Sequence, residues 1–312
     1  MNDCETITLN SASLDSTQQT QPGSSRLVSS ARLSGHPIYT LICWSTHVLL
    51  SIAFLWALYT VMWEYSTRRY LKGFSDAVIP AEATAEEKIE AILSWMSRGP
   101  ARRPDPMGVA VVRDPTETLN YRALLKVCGS ATNAFINLAD SSGLTARRLL
   151  LLGSDRGTRH VVAEVLLGGR WVVVDPTFRT MLRGANGQLL TRRDLQDPET
   201  FSTATGNIPL YDPSYNYVET EHVRMERVPL FGSRLRRFAD FILPGWQDSP
   251  TVSLFLERES FAATITSVLL LVFLVLLRFS LRWYGEVRLG IKAVRIRDQM
   301  RRGLHAFVTR PN

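Results

Sequence analysis

Cysteine is scarce in this chain: Cys4, Cys43 and Cys128 are the three among 312 residues, too few for a small scaffold stapled by disulfides. There is no Cys-x-x-Cys or His-Glu-x-x-His pair, no glycine-rich phosphate cradle and no internal repeat. These absences leave out short-spaced zinc sites, nucleotide loops and solenoids, and no cofactor or metal is implied. A hydrophobic content of 45% excludes a wholly disordered chain. Two stretches lack charge altogether. Residues 38–63 and residues 260–277 contain no Asp, Glu, Lys or Arg. At 1.5 Å per helical residue the first crosses about 30 Å of hydrocarbon with tilt, and the second is a shorter span. A cleaved signal peptide is the competing reading of residues 38–63, but the run exceeds the usual apolar core and no small-x-small site follows it. Cys43 and His47 inside it read as helix-packing residues.

The formal charge of +7 is unevenly spread. Residues 278–312 carry nine Arg or Lys against Glu286 and Asp298, which accounts for the whole excess. A basic tail directly after a span points to anionic lipid head groups as partner rather than nucleic acid, and Tyr284, Val287, Ile291 and Val294 at helical spacing suit a helix lying on the leaflet. Basic residues near span ends stay in the cytoplasm. The chain therefore reads as a two-pass protein of the cell membrane with cytoplasmic termini and residues 64–259 on the outer, periplasmic or extracellular side. Residues 1–37, rich in Ser, Thr and Gln, read as a disordered tail.

Within residues 64–259, Thr84 and Glu87 form a capping box for a helix over 85–97 with Ile89, Ile92, Leu93 and Met96 on its apolar face. Val109 to Val112 suit a short strand, and residues 119–127 have helical composition. From Cys128, the side chains of Ala131, Ala134, Phe135, Leu138 and Ala139 recur at three- and four-residue intervals, one buried helical face ended by Ser141-Ser142-Gly143. Arg147 to Leu152 suit a strand, followed by two β-rich runs joined by Gly168-Gly169.

A two-residue turn at Gly168-Gly169 pairs Leu167 with Arg170 and, further along, His160 with Thr177. His160, Val162 and Glu164 then share one face with Trp171, Val173 and Asp175, and His160 and Asp175 are diagonal neighbours about 7 Å apart at Cα. A carboxylate there can fix the imidazole tautomer. Cys128 is the sole cysteine in the segment read as external, so it has no disulfide partner there. It is either a small core residue or, at a helix N-terminus where backbone N–H groups favour thiolate, a nucleophile. Tyr211, Tyr215 and Tyr217 either line a cleft or serve packing, and no spacing favours His222 over His160 as a base.

The blocks Cys128-Gly-Ser-Ala-Thr-Asn-Ala-Phe-Ile-Asn-Leu-Ala139, Gly143-Leu-Thr-Ala-Arg147, His160-Val-Val-Ala-Glu-Val165 and Gly169-Arg-Trp-Val-Val-Val-Asp175-Pro176-Thr177 resemble the transglutaminase-like superfamily over about residues 84–180. The resemblance implies an α+β, papain-like fold between the two spans, with Cys128 opening a helix packed on an antiparallel sheet and His160 and Asp175 on adjacent strands. It implies thiol chemistry on peptide or protein amides: Cys128 as nucleophile, His160 as base then acid, Asp175 orienting His160. The chain departs from the family in having Lys126 two residues before the Cys and Val161 after the His, where the family has Gly and often Ala. A non-catalytic binding or assembly module on the same fold is the alternative reading.

Overall fold

The computed structural model describes residues 37–98, 114–119, 127–224, 237, 239–288 and 290. The expected strand at 109–112, the helical composition of 120–126, Lys126, residues 1–36 and residues 291–312 lie outside these. Helix α1 (Pro37–Val78) starts with the first uncharged stretch but does not stop with it at Trp63. Nothing in the sequence tells it to stop. No Pro or Gly intervenes before Gly73, and the helix ends only ahead of Pro80. The 15 residues beyond Trp63 add about 22 Å at 1.5 Å per residue.

Helix α7 (Glu259–Val287) likewise outruns the apolar stretch at 260–277, so Tyr284 and Val287 continue this helix and do not begin a separate one. Both helices are long and apolar enough to cross a membrane. Their outward Leu, Phe and Trp side chains, among them Leu41, Trp44, Leu55 and Phe273, are more than half exposed. They pack antiparallel through polar contacts. Thr60 Oγ1 and Ser267 Oγ lie 2.7 Å apart, Thr264 Oγ1 donates to the Thr60 carbonyl at 2.9 Å, and Tyr39 donates to the Leu281 carbonyl at 3.1 Å. His47 also packs α1 on α7, accepting from Arg278 Nη2 at 2.7 Å.

Helix α2 (Ala85–Ser97) has the expected capping box, with Thr84 Oγ1 accepting from the Glu87 N–H and Glu87 accepting from the Thr84 N–H. A single turn, α3 (Pro115–Thr118), precedes α4 (Cys128–Ser141). Five strands follow in an antiparallel sheet: β1 (Ala146–Leu152), β2 (Thr158–Leu167), β3 (Arg170–Asp175), β4 (Thr180–Met181) and β5 (Thr220–Glu221), in the order β4-β3-β2-β1-β5. One face, with Ala163, Val165, Val172 and Val174, packs on Phe135 and Leu138 of α4, on α2 and on Leu71 of α1. The other face, with Leu149, Leu151, Val162 and Val173, is covered by Leu182, Leu190, Leu195 and Tyr217. That cover includes helix α5 (Pro198–Thr205), which starts on Asp197 as N-cap.

Helix α6 (Pro250–Glu257) is separated from α7 by Arg258, whose extended backbone breaks the helix. Arg258 is 1% exposed, a cost that only full pairing offsets. Its Nε donates to Asn137 Oδ1 at 2.8 Å, one Nη donates to Asp140 Oδ2 at 2.7 Å, and the other reaches Glu64 Oε1 at 3.4 Å. Ser260 Oγ donates to Glu64 Oε2 at 2.7 Å. Glu64 is the first charge after one uncharged stretch and Arg258 lies just before the other, so the charges that bound the two apolar stretches meet each other and the C-terminal end of α4. Helix α4 is consequently buried on two sides: besides its apolar face, Asn133 and Asn137 are fully buried and bond to the Glu257 carbonyl. Glu64 keeps Arg68 Nε at 2.6 Å when Arg258 is replaced with Ala, but the buried Asn137 Oδ1 loses its donor, so the variant should be less stable by about 2 kcal/mol, read as a drop in the thermal unfolding midpoint of the detergent-solubilised chain.

Candidate active site

The turn between β2 and β3 decides which side chains meet. Gly168 and Gly169 have φ of 55° and 79°, the left-handed pair of a two-residue type I′ turn that glycine adopts without Cβ strain. The ladder runs from Leu167↔Arg170 to Ala163↔Val174, the register read from the sequence. It does not extend to His160 and Thr177. Asp175 ends β3 and bends the chain away, because its Oδ1 accepts from the backbone N–H groups of Thr177 at 3.0 Å and Phe178 at 3.2 Å.

His160 and Asp175 remain on one face and in contact, both fully buried, with His160 Nε2 to Asp175 Oδ2 at 2.8 Å. A carboxylate only accepts, so Nε2 carries the proton and donates. That leaves Nδ1 as the nitrogen able to take a proton from elsewhere. Nδ1 is buried and has no hydrogen-bond partner among the described residues.

Cys128 is half-buried and opens α4. Val127 before it is extended and makes no side-chain cap bond, and the fifth residue of the helix meets β2: Thr132 Oγ1 donates to the Val161 carbonyl at 3.0 Å. The start of α4 thus lies against β2 beside His160. Burial alone would depress the His160 imidazole, but the Asp175 carboxylate, by charge and hydrogen bond, and the Cys128 thiol push it up to about 9. The thiol is therefore close enough to act on the ring, although Nδ1 has no aligned hydrogen bond to it. Loose geometry of this kind is common in a resting site that tightens around substrate.

The remaining walls are aromatic. Tyr215 stacks on the His160 ring at 4.4 Å and 2°, with Phe178 and Tyr211 presenting their edges at 5.8 Å and 6.4 Å. The hydroxyls of Tyr211 and the fully buried Tyr217 are 3.0 Å apart. Burial first, then each other and the Asp175 carboxylate, raise the Tyr211 phenol far above its ordinary range, and burial and Asp175 do the same to Tyr217. Both phenols stay protonated.

His222 is engaged elsewhere. Its Nε2 lies 2.8 Å from Glu164 Oε2 and its Nδ1 2.7 Å from Asp248 Oδ1. Arg147 Nε donates to the same Glu164 oxygen at 2.8 Å and its guanidinium lies over Trp171 at 3.9 Å. Burial works against the Glu164 charge, yet His222 and Arg147 hold its carboxyl below the usual range. This cluster ties β1 and β2 to residues 222 and 248 and makes a structural joint.

Residues 72–176 match the family described as the transglutaminase-like superfamily. No curated protein and no solved structure matches the chain. The chain thus carries a transglutaminase-like domain, α+β with a five-stranded antiparallel sheet, and with the two apolar helices at its ends. The match closes just past Asp175, so the tyrosines around His160 come from beyond it.

The raised His160 midpoint has a definite sign for stability. Its contribution is complete below the ordinary histidine value of 6.5 and is lost as pH rises through about 9. Asp175→Asn removes the charged partner and leaves the burial, so the His160 midpoint should fall well below about 9. The thermal stability gap between wild type and Asp175→Asn should be wide at pH 6 and narrow toward pH 10.

Proposed function

We propose that the transglutaminase-like domain is a thiol enzyme that cleaves or transfers amide acyl groups of peptides or proteins. The observation that carries this reading is the fully buried His160–Asp175 bond, which leaves Nδ1 without a hydrogen-bond partner among the described residues, beside a half-buried thiol at a helix start whose N-cap, Val127, has no polar side chain. The Cys128 sulfur attacks the carbonyl carbon while His160 Nδ1 holds the thiol proton. The imidazolium then gives that proton to the departing amine nitrogen, and a thioester remains on Cys128. Water or a second amine attacks the thioester, His160 takes its proton, and the thiol is regenerated as the acid or the new amide leaves.

Asp175 has two tasks in this scheme. It holds the ring in the tautomer that leaves Nδ1 open, and it stabilises the imidazolium that forms. The Cys128 backbone N–H, at the positive end of a 14-residue helix, is the first donor for the oxyanion.

The two apolar helices would anchor the domain to a membrane, with the termini in the cytoplasm by the charge of residues 278–312 and the domain on the outer side. Anionic lipids would then meet the basic tail. A silent binding or assembly module is the second reading, and it draws on the complete burial of the His160 ring.

With a library of glutamine- and isopeptide-containing peptides and a fluorescent primary amine, the purified full chain should release or exchange amide nitrogen. Cys128→Ala and His160→Ala should each lower that rate by roughly a thousandfold or more. Equal turnover by wild type and Cys128→Ala would leave the module reading.

A further inference from the structure

We propose that Tyr215 is a positioning residue for His160: its ring, delivered by a preformed turn outside the matched family region, holds the imidazole in the plane that presents Nδ1 to the Cys128 thiol. This inference rests on the proposed thiol chemistry and adds a residue to it.

One hydrogen bond does not fix an imidazole. With Nε2 held by Asp175 at 2.8 Å, the ring can still swing about the line joining Nε2 to the carboxylate oxygen, carrying Nδ1 with it. Tyr215 removes that freedom. Two rings 4.4 Å apart and 2° from parallel leave little room for either to tilt out of its plane without a clash. Phe178 and Tyr211 abut the imidazole edge-on and pack on each other at 4.6 Å. Contacts from several directions leave a single orientation for the ring.

The stack also suits the charged form of the ring. A buried imidazolium has lost its water, and the face of a phenol ring offers it negative quadrupole density in return. Asp175 supplies opposite charge from the edge, and Tyr215 supplies the negative side of a ring quadrupole from the face.

Tyr215 is itself held by local chemistry. Its backbone N–H donates to the Asp212 carbonyl at 3.2 Å, which closes a β-turn over residues 212–215 with Pro213 at the second position. Asp212 Oδ1 accepts from the Ser214 N–H at 2.8 Å inside the same turn. Tyr211, just before the turn, is fixed through its hydroxyl to Tyr217. The sequence Tyr211-Asp-Pro-Ser-Tyr215 thus has fixed backbone on the side that meets His160, and residues 177–217 are part of the site.

The test uses the full chain in detergent with Cys4 and Cys43 replaced by Ser, and follows alkylation of Cys128 by iodoacetamide at pH 6 and pH 9. The pH 6 to pH 9 rate ratio reports the His160–thiol pairing, whereas mere opening of the site raises both rates and leaves the ratio unchanged. His160→Gln should lower the ratio by about tenfold, equivalent to about 1.4 kcal/mol. Tyr215→Leu should lower it by about fivefold, and Tyr215→Phe, which keeps the ring, should stay within about twofold of the parent. If Tyr215→Leu leaves the ratio unchanged while His160→Gln lowers it, the positioning role is overturned and the Cys128–His160 pair stands. If His160→Gln leaves it unchanged, the underlying thiol chemistry fails. A Tyr215→Phe variant as impaired as Tyr215→Leu would also overturn the ring-stacking account.

Discussion

The site depends on the register of one hairpin. Gly168 and Gly169 close a two-residue turn, and the ladder it sets puts His160 and Asp175 on the same face of neighbouring strands. A slip of one residue would send one of them to the face packed on α4 and leave the other buried without a partner. Because both side chains are completely buried, neither is tolerable alone, and the bond between them serves folding as well as the proposed chemistry. The same register directs Glu164 to His222 and Arg147, so the face that carries the site also carries the joint that braces it.

Helix α4 links this site to the rest of the chain. Its N-terminal residue is Cys128; its C-terminal half is gripped by Arg258 through Asn137 and Asp140, and Arg258 in turn meets Glu64 of α1. From Cys128 to Asp140 is about 18 Å along the helix axis. Helix α1 runs unbroken from its apolar stretch into the core of the domain, where Leu71 is fully buried and Phe74 meets Trp95 edge to face at 4.9 Å. The domain is therefore built onto the apolar helix pair, and one packed helix spans from that pair to the thiol. An anchored enzyme with this build would hold its thiol at a set distance from the helix pair.

What the sequence revealed was local. The capping box of Thr84 and Glu87, the Gly-Gly turn and the apolar stripe of α4 each involve residues a few positions apart, and the structure has them as read. The polar stripe of α4 was not legible, since Asn137 finds its Arg258 partner 121 positions away and no spacing rule connects them. The helix ends were not legible, because an absence of charge marks the apolar stretch, whereas a helix continues until a residue breaks it. The His160–Thr177 pairing failed because Asp175 captures two backbone N–H groups and ends the strand early. The aromatic walls gave only a partial signal. Three tyrosines among turn residues were visible, but that one of them would lie flat on His160 required the whole cover of residues 182–217.

The central claim is spatial, and a bifunctional reagent tests it without knowledge of the substrate. 1,3-Dibromoacetone alkylates a reactive thiol first and then bridges to an imidazole nitrogen only if that nitrogen lies in the same pocket. After treatment of the full chain and proteolysis, mass spectrometry should find the peptide containing Cys128 linked to the peptide containing His160, with the link lost in His160→Gln, which has no ring nitrogen to alkylate. Cys128 alkylated at one end only, with His160 unmodified, would contradict the account.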